Sequence, residues 1–234
     1  MPHVIGIMGN LGAGKTTVGS MMAWLYKNAI ESRGGSVKLL SNYDLYGSER
    51  MRVAEDWFKV AEAHGSIICW DEAHRSFDSR QSLKFENTLA TDVLTFCRKM
   101  ASIQIFMTPS IRRLDTRIRE MLEILIHVRP IGNKGIKLDY YDFTADSYGP
   151  MGQLIHSRFL TGGKVAQIHK LNLFDTHSFV SGFPLPKTER AAELFMDELE
   201  RVHDQARRTL YAKKDIPQIQ TIIPDVPSIY NINA

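Results

Sequence analysis

Gly9-Asn10-Leu11-Gly12-Ala13-Gly14-Lys15-Thr16 decides the fold. The stretch fits G-x-x-x-x-G-K-[ST] without a departure, and its context is right. The apolar run His3–Met8 (HVIGIM) precedes it as a buried strand. A helix follows over Thr16–Arg33, with Val18, Met21, Met22, Leu25 and Ile30 near one face. Glycines let backbone N–H groups curl around an anion without Cβ clashes. A helix N-terminus behind them adds unpaired amides and a favourable dipole. Lys15 brings a point charge to the β- and γ-phosphate oxygens of a nucleotide, and Thr16 offers a hydroxyl to Mg²⁺. The nucleotide-binding set is therefore Gly9, Asn10, Leu11, Gly12, Ala13, Gly14, Lys15, Thr16 and the adjoining Thr17.

Working outward, apolar runs and helices alternate. Ser36–Ser41 is a second strand, Glu55–His64 a helix ended by Gly65, and Ser66–Asp71 (SIICWD) a third strand. Glu86–Met100 is a helix, Ile103–Met107 a fourth strand and Ile124–Val128 a fifth. Continuous apolar strands separated by helices imply a parallel sheet covered on both faces. After Arg129 the pattern alternates: Ile136–Phe143 and Leu154–Phe159 flank a Gly-Pro turn and read as an added antiparallel hairpin over about 136–160. The expected organisation is a nucleotide-binding domain over 1–183, an amphipathic helix within 184–214 capped by Thr188, and a Pro-punctuated extended tail over 215–234.

The third strand ends in Asp71-Glu72. Asp71 suits Mg²⁺ coordination together with Thr16, and Glu72, one residue on, is placed to polarise an attacking water. A kinase that passes phosphate to a bound hydroxyl does not need that adjacent glutamate; a hydrolase does. Asp71-Glu72-Ala73-His74 also spells the label of one helicase group, but that group uses two motor domains and 234 residues hold one. Asn133-Lys134-Gly135-Ile136 lacks the aspartate of a guanine-reading motif, so ATP is the default nucleotide.

Composition sets the outer bounds. Apolar residues make up 44% and charged residues 24% of the chain, an ordinary globular balance. No apolar run approaches the roughly 20 residues that span a bilayer, and the start shows no secretory signal. Cys69 and Cys97 sit in apolar surroundings and make no disulfide framework, which suits a reducing cytoplasm. Between Arg98 and Lys137, nine Lys/Arg face three Asp/Glu, a local surplus of six that leaves the rest of the chain at −3 within an overall +3. That concentration suits contacts with nucleic-acid phosphates or a phosphate site shared between subunits. Within it, Arg98 ends the helix before the fourth strand and is a candidate arginine finger acting on a neighbour, with Arg117 and Arg119 in reserve. Thr108 ends the fourth strand beside the phosphate loop, where it can sense the γ-phosphate.

Several segments together resemble a known group: GNLGAGKT, SNYDL after the second strand, IICWDEAHRSFDSR, FCRKMASIQIFMT, RLDTRIRE and the late Leu173-Phe174-Asp175-Thr176. Over about residues 1–180 the chain is similar to the HerA/FtsK superfamily of P-loop motors. Within it, the chain looks most like viral genome-packaging ATPases and the ATPase domain of zonular-occludens-toxin-like phage proteins. The resemblance implies an α/β P-loop NTPase fold of the RecA/ASCE-like kind: a three-layer sandwich with a mainly parallel sheet of order 5-1-4-3-2, the added hairpin and a C-terminal helix. It further implies a ring, usually hexameric, that hydrolyses ATP with Mg²⁺, moves DNA without regard to sequence and uses Arg98 in trans. One departure stands out: the fourth strand ends in Thr108-Pro109, where the superfamily has Thr-Gln. The expected task is packaging of a viral genome in the host cytoplasm, with a capsid or portal-vertex partner. The alternative is phage assembly, extrusion or secretion of the zonular-occludens type; a small-molecule kinase is a third.

Overall fold

Strands that are apolar on both sides need cover on both sides, and the chain supplies it. The computed structural model describes residues 3–76, 85–144 and 152–212. Its strands are β1 (Val4–Met8), β2 (Lys38–Ser41), β3 (Glu49–Arg50), β4 (Ser66–Trp70), β5 (Ser102–Thr108), β6 (Ile124–Pro130), β7 (Gly135–Asp142) and β8 (Gln153–Thr161). Its helices are α1 (Lys15–Glu31), α2 (Asp56–Ala63), α3 (Phe85–Lys99), α4 (Thr116–Glu120), α5 (Gly162–Lys170) and α6 (Glu189–Ala212). One sheet of eight strands runs β3-β2-β4-β5-β1-β6-β7-β8. The pairs from β3 to β6 are all parallel, and the β6–β7 and β7–β8 pairs are antiparallel. The five sequence-predicted parallel strands stand in their predicted order, as β6-β1-β5-β4-β2. The two-residue β3 extends the far edge, and the predicted hairpin is β7 and β8.

Alternate residues of each strand feed two apolar layers. Ile5, Ile7, Ile67, Cys69, Ile105 and Met107 pack beneath Val18, Met22 and Ala23 of α1, with Val165 and Ile168 of α5 beside them. On the other face, Ile68, Trp70 and Phe106 meet Trp57 and Val60 of α2, Val93 and Cys97 of α3, and Phe195 and Leu199 of α6. The C-terminal helix is thus integral to the second layer. Its start is capped as expected, the Thr188 hydroxyl accepting from the Ala191 N–H at 3.3 Å. The tail over 215–234 and the turn at the hairpin tip lie outside the described residues. Both thiols are buried and free, and burial pushes the Cys69 thiol up to about 12. Among the described residues, no helix is long and apolar enough to cross a membrane.

Periodicity missed β3, α4 and α5. α5 begins at Gly162-Gly163, where the Thr161 hydroxyl caps the Lys164 N–H, and Val165 and Ile168 find apolar partners beside α1. The hairpin carries its own polar anchor. Asp139, with 1% of its side chain exposed, accepts from Ser157 Oγ at 2.5 Å and pairs with Arg129 and with Lys137. Burial pushes this carboxyl up, but the bonds from Ser157, Arg129 and Lys137 outweigh it and hold the carboxyl at about 2. A depressed carboxyl contributes stability above its unfolded value and loses it as the pH falls through the folded one. Asp139→Asn is therefore expected to lower the unfolding free energy by about 1–3 kcal/mol in urea melts at pH 7. The gap to the native chain should close as the pH approaches 2.

Candidate nucleotide site

The site lies on the edge of the sheet where β1, β4 and β5 end. β1 stops at Met8, which pairs in register with Thr108 of β5 on one side and His127 of β6 on the other. The loop then has to leave between crowded neighbours. A Cβ on Gly9 would stand 2.4 Å from the Val128 carbonyl oxygen, so only glycine fits beside β6. Gly14 has φ +90°, and a Cβ there would also meet Ile136 Cδ1 at 2.8 Å. Between them the loop closes on itself, Ala13 N–H donating to the Asn10 carbonyl at 3.1 Å, while Leu11 at the tip is 90% exposed. Lys15, buried, lies back over the loop and donates from Nζ to the Asn10 carbonyl at 3.2 Å.

The next residue joins loop to acids. Thr16 Oγ1 donates to Asp71 Oδ2 at 2.9 Å, across 55 residues of sequence. The other carboxylate oxygen accepts the Glu72 N–H at 2.9 Å. Burial pushes the Asp71 carboxyl up; the hydrogen bonds from Thr16 and Glu72 and the charge of Lys15 only partly oppose this. A desolvated carboxylate beside a hydroxyl is an environment that a hard cation relieves, and both donors are the oxygens that Mg²⁺ takes. Among the described residues, no group of three or more His, Cys, Asp or Glu could hold a metal ion. Mg²⁺ at this place would rest on Thr16 and Asp71, with phosphate and water oxygens completing its shell.

Glu72 points elsewhere because its backbone turns the chain: φ 50°, ψ 37° is left-handed, a conformation that costs a non-glycine residue about 1–3 kcal/mol. Its carboxylate stands 3.4 Å from His74 Nδ1, with 30% of the side chain exposed. One acid therefore faces the loop hydroxyl, and the other stays at the rim beside His74.

The remaining predicted residues divide. Thr17 is buried, and its hydroxyl meets His169 Nε2 of α5 at 3.2 Å instead of facing the loop. Thr108 is fully buried next to Met8, with its hydroxyl donating to the Ser110 carbonyl at 3.1 Å. Arg98 is exposed at the end of α3. α3 leads into the start of β5, whose seven residues put about 20 Å between Arg98 and the loop of the same chain. Arg117 is engaged with Asp115 and with Thr88 of α3, and Arg119 with Thr116. Sequence reasoning missed Asn42, whose side chain holds the Asp71 peptide: Oδ1 accepts the Asp71 N–H at 2.7 Å and Nδ2 donates to the Asp71 carbonyl at 3.0 Å. Its one signal was its place directly after the second strand, in SNYDL.

A glycine-rich anion loop, its lysine and threonine, and a tandem acid pair at the end of a parallel sheet define a P-loop ATPase. Residues 23–159 match the family described as zonular occludens toxin (Zot), the phosphate loop lying just before the matched span. The chain belongs to that family, and is a P-loop ATPase of its type. Among solved structures it is similar to the N-terminal domain of zonular occludens toxin from Neisseria meningitidis: 20% identity, TM-score 0.54, covering 75% of this chain and 100% of that one. That likeness extends to the fold. A further solved structure is the genome packaging NTPase B204 from Sulfolobus turreted icosahedral virus 2 in complex with ATP-gammaS (10% identity, TM-score 0.43, covering 67% of this chain and 96% of that one). No functionally curated protein matches the chain.

Because the two acids are separated by the turn at Glu72, Glu72→Gln is expected to retain ATP binding while turnover falls about 100-fold or more. Filter binding with radiolabelled ATP beside a phosphate-release assay checks both halves.

Proposed function

We propose that the protein is an ATP-driven motor that moves DNA for a phage, working as a ring of identical subunits in the host cytoplasm. The observation that carries the reading is the divergence of Asp71 and Glu72. A carboxylate committed to the loop hydroxyl and a second one held at the rim suit hydrolysis, in which water must be activated, better than transfer to a bound hydroxyl. Lys15 and the loop amides bind the phosphates; Thr16 and Asp71 hold the metal site. Mg²⁺, when bound by those two residues, would supply positive charge against the nucleotide phosphates. Glu72 takes the proton of the attacking water. Thr108 senses the γ-phosphate once its hydroxyl leaves the Ser110 carbonyl.

Arg98 cannot reach its own loop, so it serves a neighbour, stabilising charge that develops on the γ-phosphate; Arg117 and Arg119 stand in reserve. Arg112, Arg113 and Lys134 are exposed on the segments between β5 and β7, and offer DNA a sequence-blind backbone contact. Of the two phage tasks, family membership favours assembly or extrusion; packaging into a preformed capsid, through a capsid or portal-vertex partner, takes second place.

The test is the ATPase rate with and without DNA, with molar mass measured in a non-hydrolysable nucleotide. Stimulation by DNA of any sequence, falling steeply with salt, together with a ring-sized mass is the expected result. A DNA-indifferent monomer would overturn the reading. Mixing Arg98→Ala with Glu72→Gln subunits should give more activity than either variant alone, since some mixed interfaces then hold both an intact arginine and an intact glutamate. A mixture no faster than its components removes Arg98 from the role.

A further inference from the structure

Residues 172–188 run from α5 to α6 without regular structure, yet they lie across the edge of the sheet that carries the acids. The segment is held there along its length. Ser178 Oγ donates to Asp44 and accepts the Asp44 N–H, Phe183 N–H donates to Ser76 Oγ at 2.9 Å, and the Trp57 indole donates to the Pro184 carbonyl at 2.9 Å. Phe183 packs on Trp70, ring centroids 4.6 Å apart. The tightest lock is at Ser181. Its N–H donates to the Asn42 carbonyl at 2.9 Å, and its Oγ lies within hydrogen-bonding distance of the Asn42 and Met51 carbonyls, at 3.1 and 2.9 Å.

Asn42 is the link between this segment and the acids. It is 2% exposed, and its backbone N–H is bound to the Cys69 carbonyl. One side-chain hydrogen goes to the Asp71 carbonyl at 3.0 Å, the other to the Ser181 carbonyl at 2.8 Å, and the oxygen accepts the Asp71 N–H at 2.7 Å. A single carboxamide thus fixes the peptide groups on both sides of the Asp71 Cα and ties them to a residue 139 positions away from Asn42. Asp71 has no other clamp of this kind on its backbone among the described residues. Rotation about this point would move the Oδ2 that receives Thr16 and, through the left-handed turn, the Glu72 carboxylate. Displacements of about 1 Å in such groups are worth up to 100-fold in rate.

We propose that Asn42 is a positioning residue for the acid pair, and that Ser181 makes its grip conditional on the seating of the 172–188 segment. The hydrolytic site is then aimed only when α5 and α6, which the segment joins, are both docked. The proposal rests on the ATPase reading of this site, and two readouts keep the two apart.

The first readout needs neither nucleotide nor metal. In full-length Ser181→Ala, amide hydrogen exchange of peptides covering 70–76 should be faster than in the native chain, about 100 residues from the substitution. Asn42→Ala should accelerate it further, and Ser181→Thr, which keeps the hydroxyl, should restore protection. Unchanged exchange over 70–76 in Asn42→Ala overturns the positioning role, and unchanged exchange in Ser181→Ala overturns the coupling to the segment, whether or not the protein hydrolyses ATP. The second readout is steady-state kinetics. Asn42→Ala should lower kcat about 10- to 100-fold and Ser181→Ala about threefold, with KM and ATP affinity within twofold of native and the Mg²⁺ concentration for half-maximal rate raised. Equal losses in ATP affinity and kcat would mark a merely structural role and overturn the positioning role. So would a native kcat in a folded Asn42→Ala chain.

Discussion

The Thr16–Asp71 hydrogen bond spans strands that are not neighbours. β5 lies between β1 and β4, so the two residues come from strand ends about 10 Å apart, twice the usual strand spacing. The gap closes because the phosphate loop leaves β1 along a path only glycine allows, and because the first turn of α1 returns over the end of β5. Everything that makes the site chemical follows from that approach. It draws a desolvated carboxylate to a helix N-terminus, where Thr16 and Asp71 would offer a divalent cation two oxygens. Thr108, completely buried beneath it, fills the space at the end of the intervening strand.

Cover for the sheet is unequal, and the inequality locates the site's neighbours. On one face α1 is joined by α5, whose His169 meets Thr17 one turn into α1. On the other face α2, α3 and α6 pack around Trp57 and Trp70, with Phe183 stacked between those rings and the surface. The irregular segment from α5 to α6 crosses from one layer to the other over the catalytic edge. The segment thereby ties the peptide of Asp71 to both helical layers through Asn42.

Much of this was readable along the chain. The G-x-x-x-x-G-K-T run, the apolar strand ending in Asp71-Glu72 and the alternation after Arg129 each bring a local pattern, and alternating helices and strands imply a parallel sheet; its strand order came from the family resemblance. What was not readable depends on distant partners. β3 has two residues and exists because β2 offers it an edge. α5 starts in two glycines and is held by apolar contacts beside α1. Asn42 looks like any turn residue after a strand; its meaning comes from bonds 29 and 139 positions away, which no periodicity encodes. Thr17, read as a nucleotide contact from its place next to the motif, directs its hydroxyl to a helix that the sequence did not announce.

β5 has one further consequence. It puts Thr108 and the loop at one end and the α3 terminus with Arg98 at the other. In the ring proposed above, subunits joined through those two ends would stack head to tail, each donating on one side and receiving on the other. An open row of such subunits would always carry one incomplete pocket at its end, and closure into a circle would make that last pocket whole. Completing the circle would then add a working site without adding a subunit.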